Sequence, residues 1–181
     1  GMVTNSFAQQ HQIQWASSLE YQFNNYHEVY FSGTEALGPP NAFPPGYLSK
    51  SAFRLKSDRS YGTLVVSFSQ PQQTRHIVVV ENNNPGRMTQ LKVKDTEGRY
   101  HLIYQKDPEK LSHDFRSLVI SMPRTEYKVA SLEININSST VPGIYQVDAI
   151  GLLDAEDLSV VRSELRGANF NIVQELTFTE K

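Results

Sequence analysis

One acidic residue, Asp148, stands inside an apolar run, between Val147 and Ala149. A carboxylate in that company needs a partner, because burying an unpaired charge is costly. Three partners answer the need. A hard cation takes carboxylate and carbonyl oxygens, which would make Asp148 a calcium ligand. Backbone amides of the 34–41 loop would make it a hydrogen-bond cap, and a basic side chain would make it half of an ion pair. A second polar concentration is Asn82-Asn83-Asn84-Pro85-Gly86-Arg87. Asn tolerates positive φ and Pro-Gly turns tightly, so turn chemistry explains most of it. The amide of Asn83 and the guanidinium of Arg87 are also suited to sugar hydroxyls, and Glu81 is placed to pair with Arg87.

Aromatics form the third group. Tyr26, Tyr30, Phe31, Phe43, Tyr47, Phe53 and Tyr61 all fall in the irregular stretch 24–62. Sugar sites lay an aromatic face against the apolar face of a pyranose and ring it with polar groups. Most aromatics are core, and Phe53 is read so. Tyr47, beside Gly46, and Tyr61, beside Gly62, are the candidates for exposure. Arg54, Arg59 and Arg87 are their charged partners, and Tyr145, after Pro142-Gly143, is a further loop aromatic. Catalytic motifs are weak. His11, His27, His76, His101 and His113 show no metal-ligand spacing, and His101 is expected at the surface. No nucleophile elbow or phosphate-binding loop occurs. Asp107 or Glu109 would need another acid to make a glycosidase dyad, and both lie in a turn that reads as solvated.

The elements that must position these residues are strands. Val, Ile, Thr, Phe, Tyr and Trp make up 53 of 181 residues, and Ala only 9, a balance that favours strands. The runs are Ala16–Phe23, Thr63–Phe68, His76–Glu81, Thr89–Asp95, Arg99–Tyr104, Ser117–Ser121, Ala130–Ile136 and Tyr145–Leu153. Turn residues separate them. Leu91-Lys92-Val93-Lys94 and Leu132-Glu133-Ile134-Asn135-Ile136-Asn137 alternate, so one face is buried and one is wet. Ile77-Val78-Val79-Val80 is apolar on both faces and should lie centrally. Thr96-Glu97-Gly98 reads as a hairpin with Gly98 left-handed. The expectation is all-β: an antiparallel sandwich or jelly roll. Residues 1–14 read as a tail or one short helix. Asp154 is set to cap a helix over Ala155–Arg166, stopped by Gly167, and Phe170–Phe178 adds an edge strand or opens a second module.

Composition removes several classes. With no cysteine, a disulfide scaffold, a thiolate metal site and thiol catalysis are excluded. A net charge of −2 lacks the basic excess of a nucleic-acid binder. No apolar stretch reaches the roughly 18 residues of a membrane span.

Two blocks carry a family likeness: Thr34-Glu35-Ala36-Leu37-Gly38-Pro39-Pro40-Asn41, and Val141-Pro142-Gly143-Ile144-Tyr145-Gln146-Val147-Asp148-Ala149-Ile150-Gly151-Leu152. Leu64–Pro71 and Ile77–Glu81 with Asn84-Pro85-Gly86 lie between them. Together they resemble a galactose-binding-like jelly roll of the discoidin and coagulation-factor C-domain type, in the version found in bacterial, notably Bacteroidetes, envelope proteins. The resemblance covers about residues 15–154, with 155–181 as an appendage. It implies a non-catalytic module, secreted or in the cell envelope, that binds a glycan through loops at one end. The alternative is a scaffold module that binds an envelope protein. It also implies a structural calcium, held by carbonyls of the 35–41 loop and by Asp148, with Glu35 and Asn41 as side-chain ligands.

Overall fold

The computed structural model describes residues 12–24, 29–30 (backbone only), 34–55, 61–139, 143–165 and 171–176. Expectations placed on Tyr26, Phe31, Arg59, His11, His27, Gly167, Phe170, Phe178 and residues 1–11 lie outside them, as does the side chain of Tyr30.

Alternating sequence becomes a two-sheet sandwich. One sheet has the order β2 (Ser18–Phe23), β5 (Tyr61–Gln72), β10 (Val129–Asn137), β7 (Met88–Asp95), β8 (Tyr100–Gln105). Every pairing in it is antiparallel. Leu64, Val66, Leu91, Val93, Leu132 and Ile134 face inward and are at most 2% exposed. The residues between them face out. The opposing sheet runs β1 (Gln14–Trp15), β12 (Ala149–Leu153), β6 (His76–Glu81), β9 (Arg116–Ser121), β13 (Ile172–Leu176). Its Ile77, Val79, Leu118, Ile120, Ile150 and Leu152 close the core. A small sheet, β11 (Tyr145–Val147), β4 (Phe53–Leu55), β3 (Val29–Tyr30), covers one end.

β6, apolar from Ile77 to Val80, is central, as its sequence requires, and all six of its residues are buried. Its second face has its own cover. Helix α1 (Ser159–Leu165) sets Val161 and Leu165, with Leu158 just before it, on Val78, Val80, Val119, Ala149 and Leu153. Three such side chains contribute about 1.5–3 kcal/mol each, which makes this helix a structural layer. β13 pairs in parallel with β9 and forms the edge of that sheet, as one of the two expectations for this run had it.

Three expectations change. The run Tyr145–Leu153 breaks at Asp148, where the chain leaves the small sheet and enters the large one. The helix begins later than expected, because Asp157, not Asp154, accepts from Ser159 N (3.0 Å) and Ser159 Oγ (2.7 Å). Asp154 is engaged by Arg75 and Arg124. His101 is only half-exposed: Nε2 lies 2.8 Å from Asp95 Oδ2, and its ring stacks on Tyr127 at 3.9 Å. The hairpin itself is as expected, with Gly98 at φ +82°. Asp95 Oδ1 accepts from Glu97 N and Arg99 N and so fixes the turn.

Candidate functional site

At one end of the sandwich the β2–β5–β10–β7 sheet carries a row of outward-facing polar residues. Gln22, Thr63 and Asn135 lie side by side across β2, β5 and β10. One step along, Tyr61 pairs with Asn137. Because residues of strand period two share a face, all five stand opposite the buried layer of Leu64 and Ile134. On β7 the register slips between Asn135 and Ile136, which leaves Thr89 as the extra residue of a bulge. Its Oγ1 donates to Asn135 O at 3.3 Å. Gly62 allows β2 to close on β5: a Cβ there would stand 2.2 Å from Gln22 O. These residues, with Asn24, line a cleft of about 500 Å³. That lies within the roughly 300–1,000 Å³ of small-molecule sites. Among the described residues its side chains are amides, hydroxyls, one phenol and the buried Phe23 and Ile136. Tyr61 is 56% exposed. Its backbone is fixed from both directions, since Tyr61 N donates to Asn24 Oδ1 (2.8 Å) and Asn24 N to Tyr61 O (3.1 Å).

The loops around Ser49 and Asn82 are tied down by buried amides. Gln146 and Asn82 are fully buried. Gln146 Oε1 accepts from Ser49 N (2.9 Å) and from Asn82 Nδ2 (3.1 Å), and Gln146 Nε2 donates to Ser49 O (2.7 Å). Gly46 N donates to Asn82 O. With its backbone so held, the 43–48 loop presents Phe43, Tyr47 and Leu48, which are 53%, 67% and 50% exposed.

Below the 82–87 turn lies a buried charge network. Glu81 is fully buried and takes Arg116 Nε on one oxygen. Its other oxygen accepts from Tyr145 Oη (2.7 Å) and, at 3.4 Å, from Gly86 N. Burial works against the Arg116 charge, but the facing carboxylate of Glu81 more than restores it, so the guanidinium stays protonated. Burial, reinforced by the Glu81 charge, raises the Tyr145 phenol well above its ordinary range, so it remains a donor. Arg87 Nη1 donates to Asn84 O (2.5 Å), and its guanidinium lies 5.8 Å from the centre of the Tyr145 ring.

The structure divides the expected ligand residues. Tyr47 and Tyr61 are exposed, as expected. Arg54 is half-buried on β4, between the buried Phe53 and Leu55 and paired through its backbone with Gln146. Asn83 is half-buried and donates to Ile144 O (2.8 Å), so its amide secures a loop. Arg87 and Tyr145 are fully buried, which corrects the expectation that they meet a ligand. They support the site from beneath, and the partner of Glu81 is Arg116 rather than Arg87. Gln22, Asn24, Thr63, Thr89, Asn135 and Asn137 escaped the sequence reading. Their signal was the outward register of alternating strands, which one strand alone does not reveal.

Asp148 is fully buried, and its oxygens accept from Asn41 N (3.1 Å) and Ala42 N (3.0 Å). With its amide oriented to suit its neighbours, Asn41 Nδ2 donates to Ser51 O (3.0 Å) and to Asp148 Oδ1 (3.2 Å). Burial pushes the Asp148 carboxyl up to about 6, against the pull of those two amides. The loop thus turns N–H groups toward the carboxylate, and a cation there needs oxygens. Glu35 lies in the 3₁₀ turn Thr34–Ala36. No group of three or more acidic, histidine or cysteine side chains able to hold a metal occurs among the described residues. The donors around Asp148 therefore do not fit calcium, and they match the hydrogen-bond cap.

No protein-family model matches the sequence, and no curated protein matches it. Solved structures do. The chain is similar to a pectin-binding carbohydrate-binding module at 9% identity, over 88% of this chain and 96% of that one, with a TM-score of 0.51. It is likewise similar to a variant of chitosan-binding module 1 from a Paenibacillus sp. IK-5 chitosanase/glucanase. There the identity is 8%, the coverage 78% and 98%, and the TM-score 0.51. At such identity the likeness is one of fold, and the fold is the antiparallel jelly-roll sandwich expected from the sequence.

Proposed function

We propose that the protein is a non-catalytic carbohydrate-binding module that works outside the cytoplasm, secreted or in the cell envelope. The observation that carries this reading is the cleft at Tyr61: an exposed aromatic ring beside a row of uncharged hydrogen-bonding side chains, on a fold shared with carbohydrate-binding modules. Sugar hydroxyls both donate and accept, and amides and alcohols do the same. The ring supplies the apolar face that a pyranose needs. A hydrolase reading has less to stand on. His76 Nδ1 lies 2.8 Å from Ser121 Oγ, but both are buried, and Ser121 Oγ also accepts from Gln174 Nε2 (2.8 Å). That contact straps β13 to the sheet.

A second reading, a protein-docking scaffold, is favoured by the exposed Phe43, Tyr47 and Leu48 on their tethered loop. Calorimetric titration against a panel of plant, fungal and bacterial polysaccharides separates the two. The carbohydrate reading expects saturable binding that Tyr61→Ala abolishes. Binding to no polysaccharide refutes it and leaves the scaffold. Calcium is a separate arm of the titration. With the Asp148 oxygens occupied by amides, chelation should leave the melting temperature unchanged. A rise on adding calcium would mean an ion held by other oxygens.

A further inference from the structure

We propose that the cleft takes an internal stretch of a linear saccharide chain, about two to three linked pyranoses, rather than one terminal sugar; this rests on the carbohydrate reading above. The polar groups of the cleft do not converge on a point. Gln22, Thr63 and Asn135 are in register on three neighbouring strands, and Thr89 follows on the fourth. Three inter-strand steps of about 4.8 Å spread this row over about 14 Å. A terminal-sugar pocket would gather its donors and acceptors around one ring. A row spaced at strand separation instead meets hydroxyls that recur along a chain. The cleft volume of about 500 Å³ agrees, since it exceeds what a single pyranose fills. β2 is an edge strand, so the row ends at the margin of its sheet, where, among the described residues, no further strand of that sheet stands in the path of a continuing chain. Tyr61 and Asn137 flank the row one layer along, which places the aromatic face beside the chain rather than at its end.

The test is calorimetry with gluco-, manno-, xylo- and galacto-oligosaccharides, from monomer to hexamer, and with the parent polymers. For the sugar that binds, affinity should climb by at least about tenfold from monomer to trimer and then level off. Gln22→Ala and Thr89→Val, at the two extremes of the row, should each weaken the trimer about three- to tenfold, the worth of one neutral hydrogen bond. Both substitutions are small, and unchanged melting temperatures certify the fold. Equal affinity for monomer and trimer, with Tyr61→Ala still abolishing binding, would overturn the inference and leave the carbohydrate reading standing. Binding that survives Tyr61→Ala but is lost in Tyr47→Ala would overturn both the inference and the assignment of the site to the Tyr61 cleft. Binding to no sugar overturns the carbohydrate reading, and the inference with it.

Discussion

Tyr145→Phe removes one oxygen atom from the buried network under the loop end. The shape of the ring is kept, so no cavity opens and the whole effect falls on Glu81. That carboxylate loses a 2.7 Å hydrogen bond and keeps, on the same oxygen, only the 3.4 Å contact from Gly86 N. Hydrogen bonds to charged groups contribute about 1.5–3 kcal/mol, and the weak surviving donor puts this one in the upper part, about 2–3 kcal/mol. An unfolding entropy of about 2.1 cal/mol/K per residue gives about 0.4 kcal/mol/K for the chain, so the melting temperature should fall by about 5–8 °C. Scanning calorimetry reads the shift. Saccharide affinity, measured well below the transition, should stay within about twofold of wild type, because Tyr145 is out of contact with solvent. An unchanged melting temperature with a tenfold loss of affinity would refute the reasoning, since it would put the hydroxyl on the ligand after all.

Other consequences follow from neighbouring features. Asp148→Ala should leave the amides of Asn41 and Ala42 without acceptors and cost about 1–3 kcal/mol, read by urea unfolding. Burial raises the folded pKa of Asp148 to about 6, from about 3.8 in the unfolded chain. Between those values the folded state holds a proton that the unfolded state has released, so this residue's contribution to stability is full below pH 3.8 and is lost as pH rises to about 6; Asp148→Asn should flatten that slope. Asp95 behaves oppositely. Its hydrogen bond with His101 depresses its pKa, so its contribution is present above the ordinary carboxylate range and fades as pH falls below it. Acid titrations of wild type and Asp95→Asn should converge at low pH. Gly62→Ala places a methyl 2.2 Å from Gln22 O and must part β2 from β5, so both stability and saccharide binding should fall.

Period-two patterns made the sandwich legible: Leu91, Val93, Leu132 and Ile134 point inward as their alternation demands. The unbroken apolar run of β6 foretold burial on both faces, though not that a helix 80 residues later would supply the second cover. β4 went unseen because Phe53-Arg54-Leu55 is too short to show a period. The break at Asp148 went unseen because strand propensity continues through it. Its loop partners, Asn41 and Ala42, lie more than 100 residues away. Tyr61 was legible because an aromatic next to glycine in a polar region marks exposure. Thr63, Asn135 and Gln22 were not, because each is an ordinary outward residue until three strands bring them into one row.

The misreading of Arg87 and Tyr145 has a physical root that bears on how the site works. A polar or aromatic residue in a loop suits either of two tasks, touching a ligand or holding the loop that does, and residue type does not separate them. Register and burial do. Arg87 O accepts from Asn137 N (2.9 Å), so the end of β10, where the cleft lies, is fastened to the same buried layer that Glu81, Arg116 and Tyr145 build. Order imposed at folding need not be imposed again when a ligand arrives, and binding is correspondingly tighter. The two layers should then separate in experiment. Substitutions in the buried layer act first on unfolding, and substitutions in the row act on affinity at constant stability. Gly62 belongs to both, since it sets the spacing of β2 on β5 and thereby the width of the row, which is why its substitution alone should move both quantities together.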